Sequence, residues 1–128
     1  MNIRTHQGIN QELCGRPLRV GEGHCSIEMN TSRAMLADEK GLVHGGFIFG
    51  LADYAAMLAV NDPNVVLGSA EVKFFKPVRL NDVVVAEARV EEVKGKKHKV
   101  AVSIANGKET VFQGMFTCFV LDKHVLST

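Results

Sequence analysis

The chain has no tryptophan, one tyrosine, three prolines and three cysteines in its 128 residues. Cys14, Cys25 and Cys118 are odd in number and show no C-x-x-C spacing, which argues against a disulfide framework and for a reducing compartment. A cytoplasmic location is therefore expected. His24 and Cys25 are adjacent on what reads as a strand and would point to opposite faces, and the other histidines and cysteines have no metal-ligand spacing. An excess of one charge is also missing: the formal net charge is +1, so neither nucleic acid nor an anionic membrane is called for. Met1 to Gln7 contains no apolar run of the kind a signal peptide needs. The most apolar stretch, Leu42 to Val60, carries Asp53 at mid-length and is diluted by glycine, so a membrane span is not expected either. There is no G-x-S-x-G, no G-x-G-x-x-G after a strand and no P-loop. Repeats, linkers and low-complexity segments are absent as well.

What remains is an ordinary globular composition, 46% hydrophobic and 23% charged, at a length that suits one domain over residues 1–128 with a real core. The stretch His44-Gly45-Gly46-Phe47-Ile48-Phe49-Gly50-Leu51-Ala52-Asp53 organises it. It opens one long helix, expected from Gly45 to Val60, in which Asp53 is the single charged residue. A helix apolar all round is wrapped by the rest of its protein, and a lone carboxylate inside it is costly unless partnered or working. Asn61-Asp62-Pro63-Asn64 ends the helix, because proline cannot continue it and asparagine accepts left-handed geometry.

Around that helix the period is two. Residues 1–22 are mostly polar and read as coil with a short helix at Gln11 to Cys14. His24 to Asn30 alternates Cys25, Ile27 and Met29 with polar residues and reads as a first strand. Asn30 to Gly41 is loop with one helical turn near Ser32 to Leu36. After Pro63 come strands at Val65 to Phe75, Asp82 to Val93, Lys97 to Asn106 and Lys108 to Leu121. Lys94-Gly95-Lys96 turns one pair, and Asn106-Gly107 signals a type I′ hairpin for the next. Five antiparallel strands with one buried helix make an α+β fold, a sheet curled round the helix.

Two features of the helix carry chemistry. Gly45 and Gly46 leave backbone N–H groups bare at the positive end of the helix dipole, a place for an anion or a developing oxyanion. Asp53 is either a satisfied buried acid that bonds local backbone groups, or a general base or nucleophile. Eight residues at ~1.5 Å rise separate them by about 12 Å, too far for one carbonyl group to touch both. If they share a site, they come from two copies of the helix related by a two-fold, which demands a dimer. His44 either covers the helix start or positions substrate. The lysines Lys94, Lys96, Lys97 and Lys99 form either a solvated hairpin tip or a landing patch for phosphates, and Lys73, Lys76 and Arg79 are a second candidate for such a patch.

HGGFIFGLADYAAMLAVN resembles the signature of hotdog-fold acyl-CoA thioesterases, most of all the phenylacetic-acid-pathway (PaaI-like) group with its HGG, four residues, L-x-D-x-A. VKFFKPVRLNDV, Val72 to Val83, resembles that family's strand, proline and turn, with Asn81-Asp82 where Gly-Asp is usual. The strand order agrees over residues 23–121. The resemblance implies a hotdog fold and hydrolysis of an acyl-CoA to a carboxylic acid and free CoA, with CoA as part of the substrate and no separate cofactor. It implies that the Gly45 amide polarises the thioester carbonyl, that Asp53 of a partner activates water or attacks, and that His44 flanks them. Gly46, Asp38, Tyr54, Met57, Leu67 and Ser69 are the implied substrate-binding positions, and Lys73, Lys76, Arg79, Lys96 and Lys97 the implied contacts to CoA phosphates. The implied assembly is a homodimer with a continuous sheet and shared sites, often paired into tetramers. This chain departs from the family in having Asp38 where Asn or Gln is frequent, Tyr54 where Thr is frequent, and Leu67 where some relatives have Ser, with Ser69 two residues on. The alternatives are a binding module of the same fold that holds acyl-CoA without hydrolysis, and a hotdog hydroxyacyl dehydratase.

Overall fold

The computed structural model describes residues 1–127. Six strands form one antiparallel sheet: β1 (Arg16–Gly21), β2 (His24–Asn30), β3 (Val65–Phe74), β4 (Val83–Lys94), β5 (Lys97–Asn106) and β6 (Glu109–Val120). The order across the sheet is β1-β2-β4-β5-β6-β3. Two α-helices, α1 (Gln11–Cys14) and α2 (Gly45–Val60), and a single 3₁₀ turn at Arg33–Met35 complete the described chain. This is the hotdog architecture that the resemblance implied.

Helix α2 lies where the two-residue and 3.6-residue periods agree. From the sheet come Ile27, Met29, Val84, Ala86, Val100, Val102, Ile104, Phe112 and Phe116, alternate residues that are all nearly inaccessible to solvent. From α2 come Ile48, Leu51, Ala52, Tyr54, Ala55, Ala56, Met57, Leu58 and Ala59. The four alanines let strands approach the helix axis, and Leu51, Met57 and Leu58 fill the space between. Asn61 stops the helix in the left-handed region, at φ 53° and ψ 46°. Its side chain then holds the N-terminal segment, donating to the Asn2 carbonyl at 2.7 Å and accepting from the Arg4 amide at 2.8 Å.

Two expectations need correcting. Residues 16–21 are a strand, so the sheet has six strands rather than five. Pro17 cannot donate to a ladder on both sides, but β1 is an edge and its register slips between Pro17 and Arg19, so the missing N–H is tolerated. The β5–β6 hairpin is not type I′. Asn106 pairs with Glu109, the loop is Gly107-Lys108, and only Gly107 has positive φ, the sign pattern of a type II′ turn.

The other edge, β3, has ten residues, no proline, and among the described residues no neighbour beyond β6. A bulge between Leu67 and Ser69 leaves Gly68 unpaired. A Cβ on Gly68 would collide with the ring of Phe119, so the bulge needs glycine.

Candidate active site

Local bonding decides which amide at the start of α2 is open. His44 is the N-cap, and its Nδ1 accepts the Gly46 N–H at 2.9 Å. The His44 carbonyl accepts from Phe47 at 3.0 Å, and the His44 N–H donates to the Met35 carbonyl at 2.8 Å. That leaves the Gly45 N–H, which has no acceptor among the described residues. Phe74 stacks over it: a Cβ on Gly45 would meet the Phe74 ring at 3.4 Å. His44 thus caps the helix through the Gly46 amide, and a ring whose Nδ1 accepts carries its N–H on Nε2.

Two turns on, Asp53 is half-buried and has no hydrogen bond or ion pair among the described residues. Burial pushes its carboxyl pKa up, which makes the ionised form a stronger base than a free aspartate. Its charge is felt by Cys14 at the end of α1 and by Cys118 on β6. Leu67 pairs with Cys118, so the implied substrate position on β3 lies in the same neighbourhood as Asp53. The three thiols are all shifted toward the protonated form. Burial, with Asp53 second, drives Cys118 up to about 12. Burial, with Glu87 second, does the same to Cys25, which also donates to the Ala55 carbonyl at 3.1 Å. Burial and Asp53 raise Cys14 as well.

The other implied positions scatter. Tyr54 and Met57 are 2% and 1% exposed and belong to the packed core, Tyr54 against α1. Asp38 is exposed, and its carboxylate accepts the Lys40 and Leu42 amides at 2.9 and 3.2 Å, so its charge serves its own loop. Ser69 pairs with Thr117 and is exposed. Lys73, paired with Gln113, lies on the outer face of the sheet, in a groove with Arg19, His24 and Arg89. Lys76 is exposed in the loop after β3. Lys96 is held by Asp122 at 2.8 Å on the β4–β5 tip, where Lys97 also sits. Arg79 packs beside the loop that leads into α2. The five implied phosphate contacts therefore do not form one patch.

A sequence profile of the thioesterase superfamily matches residues 40–113, which include Gly45, Asp53 and most of the sheet. The chain belongs to the thioesterase superfamily. Among known structures, an uncharacterised Pyrococcus horikoshii protein, PH1136, is 53% identical, with a TM-score of 0.98 over 99% of this chain and 98% of that one. PaaI of Thermus thermophilus, a phenylacetic acid degradation protein solved as a point mutant, is 26% identical, with a TM-score of 0.78 over 87% of this chain and 97% of its own. An Aquifex aeolicus protein named methylthioribose-1-phosphate isomerase is 58% identical over 123 residues, 95% of this chain but 27% of that protein. The transcription factor FapR of Caldanaerobacter subterraneus is 30% identical over 85% of this chain and 54% of its own length. The chain thus spans about a quarter to a half of these two curated relatives, and their names describe much longer proteins. Among the described residues of this superfamily member, no helix is long and apolar enough to cross a membrane.

Proposed function

We propose that the chain is an acyl-CoA thioesterase that works as a homodimer. One observation carries the reading: Asp53, half-buried and unpartnered, shares a helix with the open Gly45 amide, and about 12 Å of helix separates them. A second copy with its α2 antiparallel to the first sets each Gly45 beside the other's Asp53 and builds two sites. The unpaired β3 edge supports this assembly, because a long open edge strand is a template for pairing with another chain. The thioester oxygen then accepts the Gly45 N–H. Ionised Asp53 of the other copy takes a proton from water as the water oxygen bonds to the carbonyl carbon, or attacks that carbon itself. The carbon–sulfur bond breaks and the CoA thiolate picks up a proton. In the first case the acid leaves directly; in the second the acyl group stays on Asp53 as a mixed anhydride, which water then hydrolyses to the free acid and the Asp53 carboxylate.

The assembly predicts a dimer, or a multiple of one, in light scattering at micromolar concentration. An active monomer would overturn it. The chemistry is tested by a thiol-release screen over short, long and aromatic acyl-CoAs, in which at least one class should be hydrolysed. FapR is named a transcription factor and not a hydrolase, which favours a second reading, in which the domain binds its ligand without hydrolysing it. Acyl-CoA binding with no thiol release from any class would decide for that reading.

A further inference from the structure

We propose that Arg33, Lys40 and Arg79 form a phosphate pocket at the amide end of α2, built for a phosphorylated nucleotide. These three cations line one cavity of about 330 Å³ with Glu39, Gly41 and Asn81. They come from three separate stretches: the 3₁₀ turn, the loop before α2 and the loop after β3. None makes an ion pair within the described residues, where only Lys94–Glu92 and Lys96–Asp122 do so. Glu39 leaves the pocket a net charge of +2.

The backbone under each cation is pinned. Buried Thr31 donates its hydroxyl to the Arg79 and Asp82 carbonyls at 3.1 and 2.7 Å, and its amide to Asp82 at 3.0 Å. The Asp82 carboxylate in turn accepts the Arg79 amide at 2.8 Å. Asp38 fixes the Lys40 and Leu42 amides. Leu80 N–H donates to the Gly41 carbonyl at 2.8 Å, tying the two loops together. Both loops turn through positive φ, 90° at Gly41 and 75° at Asn81. Meanwhile Met35, at the end of the turn that carries Arg33, accepts from His44 beside the open amide. Asp38 and Asp82 thus spend their charge on amides, while three cations on pinned backbone face the cavity against the single carboxylate of Glu39, an arrangement suited to several phosphate oxygens.

Seating the 3′-phosphate of CoA here rests on the thioesterase reading; the phosphate pocket itself does not. The test titrates wild type, the triple variant Arg33→Ala/Lys40→Ala/Arg79→Ala and the control Lys108→Ala/Lys123→Ala with CoA, dephospho-CoA, adenosine 3′,5′-bisphosphate and inorganic phosphate by calorimetry. All five side chains are exposed, so melting temperatures should match. Wild type and control should bind the bisphosphate, and should prefer CoA to dephospho-CoA. The triple variant should bind both CoA and the bisphosphate roughly tenfold or more weakly and lose the preference. An equal loss for CoA and dephospho-CoA keeps the pocket and places the diphosphate in it. Unchanged binding by the triple variant, or a wild type that binds neither CoA nor the bisphosphate, overturns the proposal. Inorganic phosphate binding as tightly as the bisphosphate overturns the nucleotide assignment. Bisphosphate binding that depends on the three cations, with no acyl-CoA bound or hydrolysed, keeps the pocket and removes the thioesterase reading.

Discussion

Asp53→Asn is expected to abolish thioester hydrolysis while the folded chain becomes more stable at neutral pH. The swap is nearly isosteric, so the packing of α2 survives, but no carboxylate remains to take a proton or to attack. Loss of a general base alone costs ~10²–10⁴ in rate. The stability effect follows from the direction of the Asp53 shift. Burial raises its folded-state pKa above the unfolded one, so the folded chain favours the protonated acid. The ionised form therefore costs stability as pH climbs through the unfolded and then the folded pKa, and that cost persists above them. The melting temperature of Asp53→Asn should exceed that of wild type most at neutral pH, and the gap should close on acidification. Wild-type kcat/KM should fall on the acid side with a midpoint above the ordinary carboxylate range. A structural acid would give the opposite pair of results, earlier melting with turnover retained. Full turnover in a stable Asp53→Asn protein ends the proposed mechanism.

Gly45→Pro is expected to cost ~10²–10³ in kcat by deleting one N–H, the usual loss for one oxyanion donor. Proline is well suited to the first helical position, where the amide has no intrahelical acceptor anyway. His44 already has φ −64° and ψ 133°, the extended conformation that a residue before proline needs. The Cβ of the proline would meet Phe74 at ordinary contact, 3.4 Å away. The helix should form and bind CoA. Gly45→Ala is the companion: it adds the same Cβ, keeps the N–H, and should keep most of the turnover. Equal rates for the two variants, both folded, would show that the Gly45 amide is not the donor.

How legible each part was depends on where its cause lies. Both ends of α2 were readable because their causes are local: Gly45-Gly46 opens it, and Asn61 before Pro63 closes it in left-handed geometry. Asp53 stood out because it is the one charge in an apolar helix, and the structure gives it no partner among the described residues. The strand β1 was hidden because Arg16-Pro17-Leu18-Arg19-Val20-Gly21 has the composition of a loop; it is a strand because β2 presents a free edge. Asp38 stands where the family often has Asn or Gln, and only the loop's path shows its charge absorbed by two amides. The cluster of Arg33, Lys40 and Arg79 has no spacing signal, because the pairing of Leu42 with Arg79 that unites it joins stretches far apart in the chain.

The strand order also sets a sequence in time. β4 pairs with β5, and β5 with β6, through two-residue loops, so little chain entropy is lost in closing them. β3 must find β6 across two intervening strands, and α2 can be wrapped only once that sheet exists. The elements that bear Gly45, Asp53 and Leu67 should therefore gain amide protection after the β4–β6 meander in pulse-labelled hydrogen exchange. A chain still refolding would have most of its sheet before it has a site, and would show its apolar helix to solvent for longest.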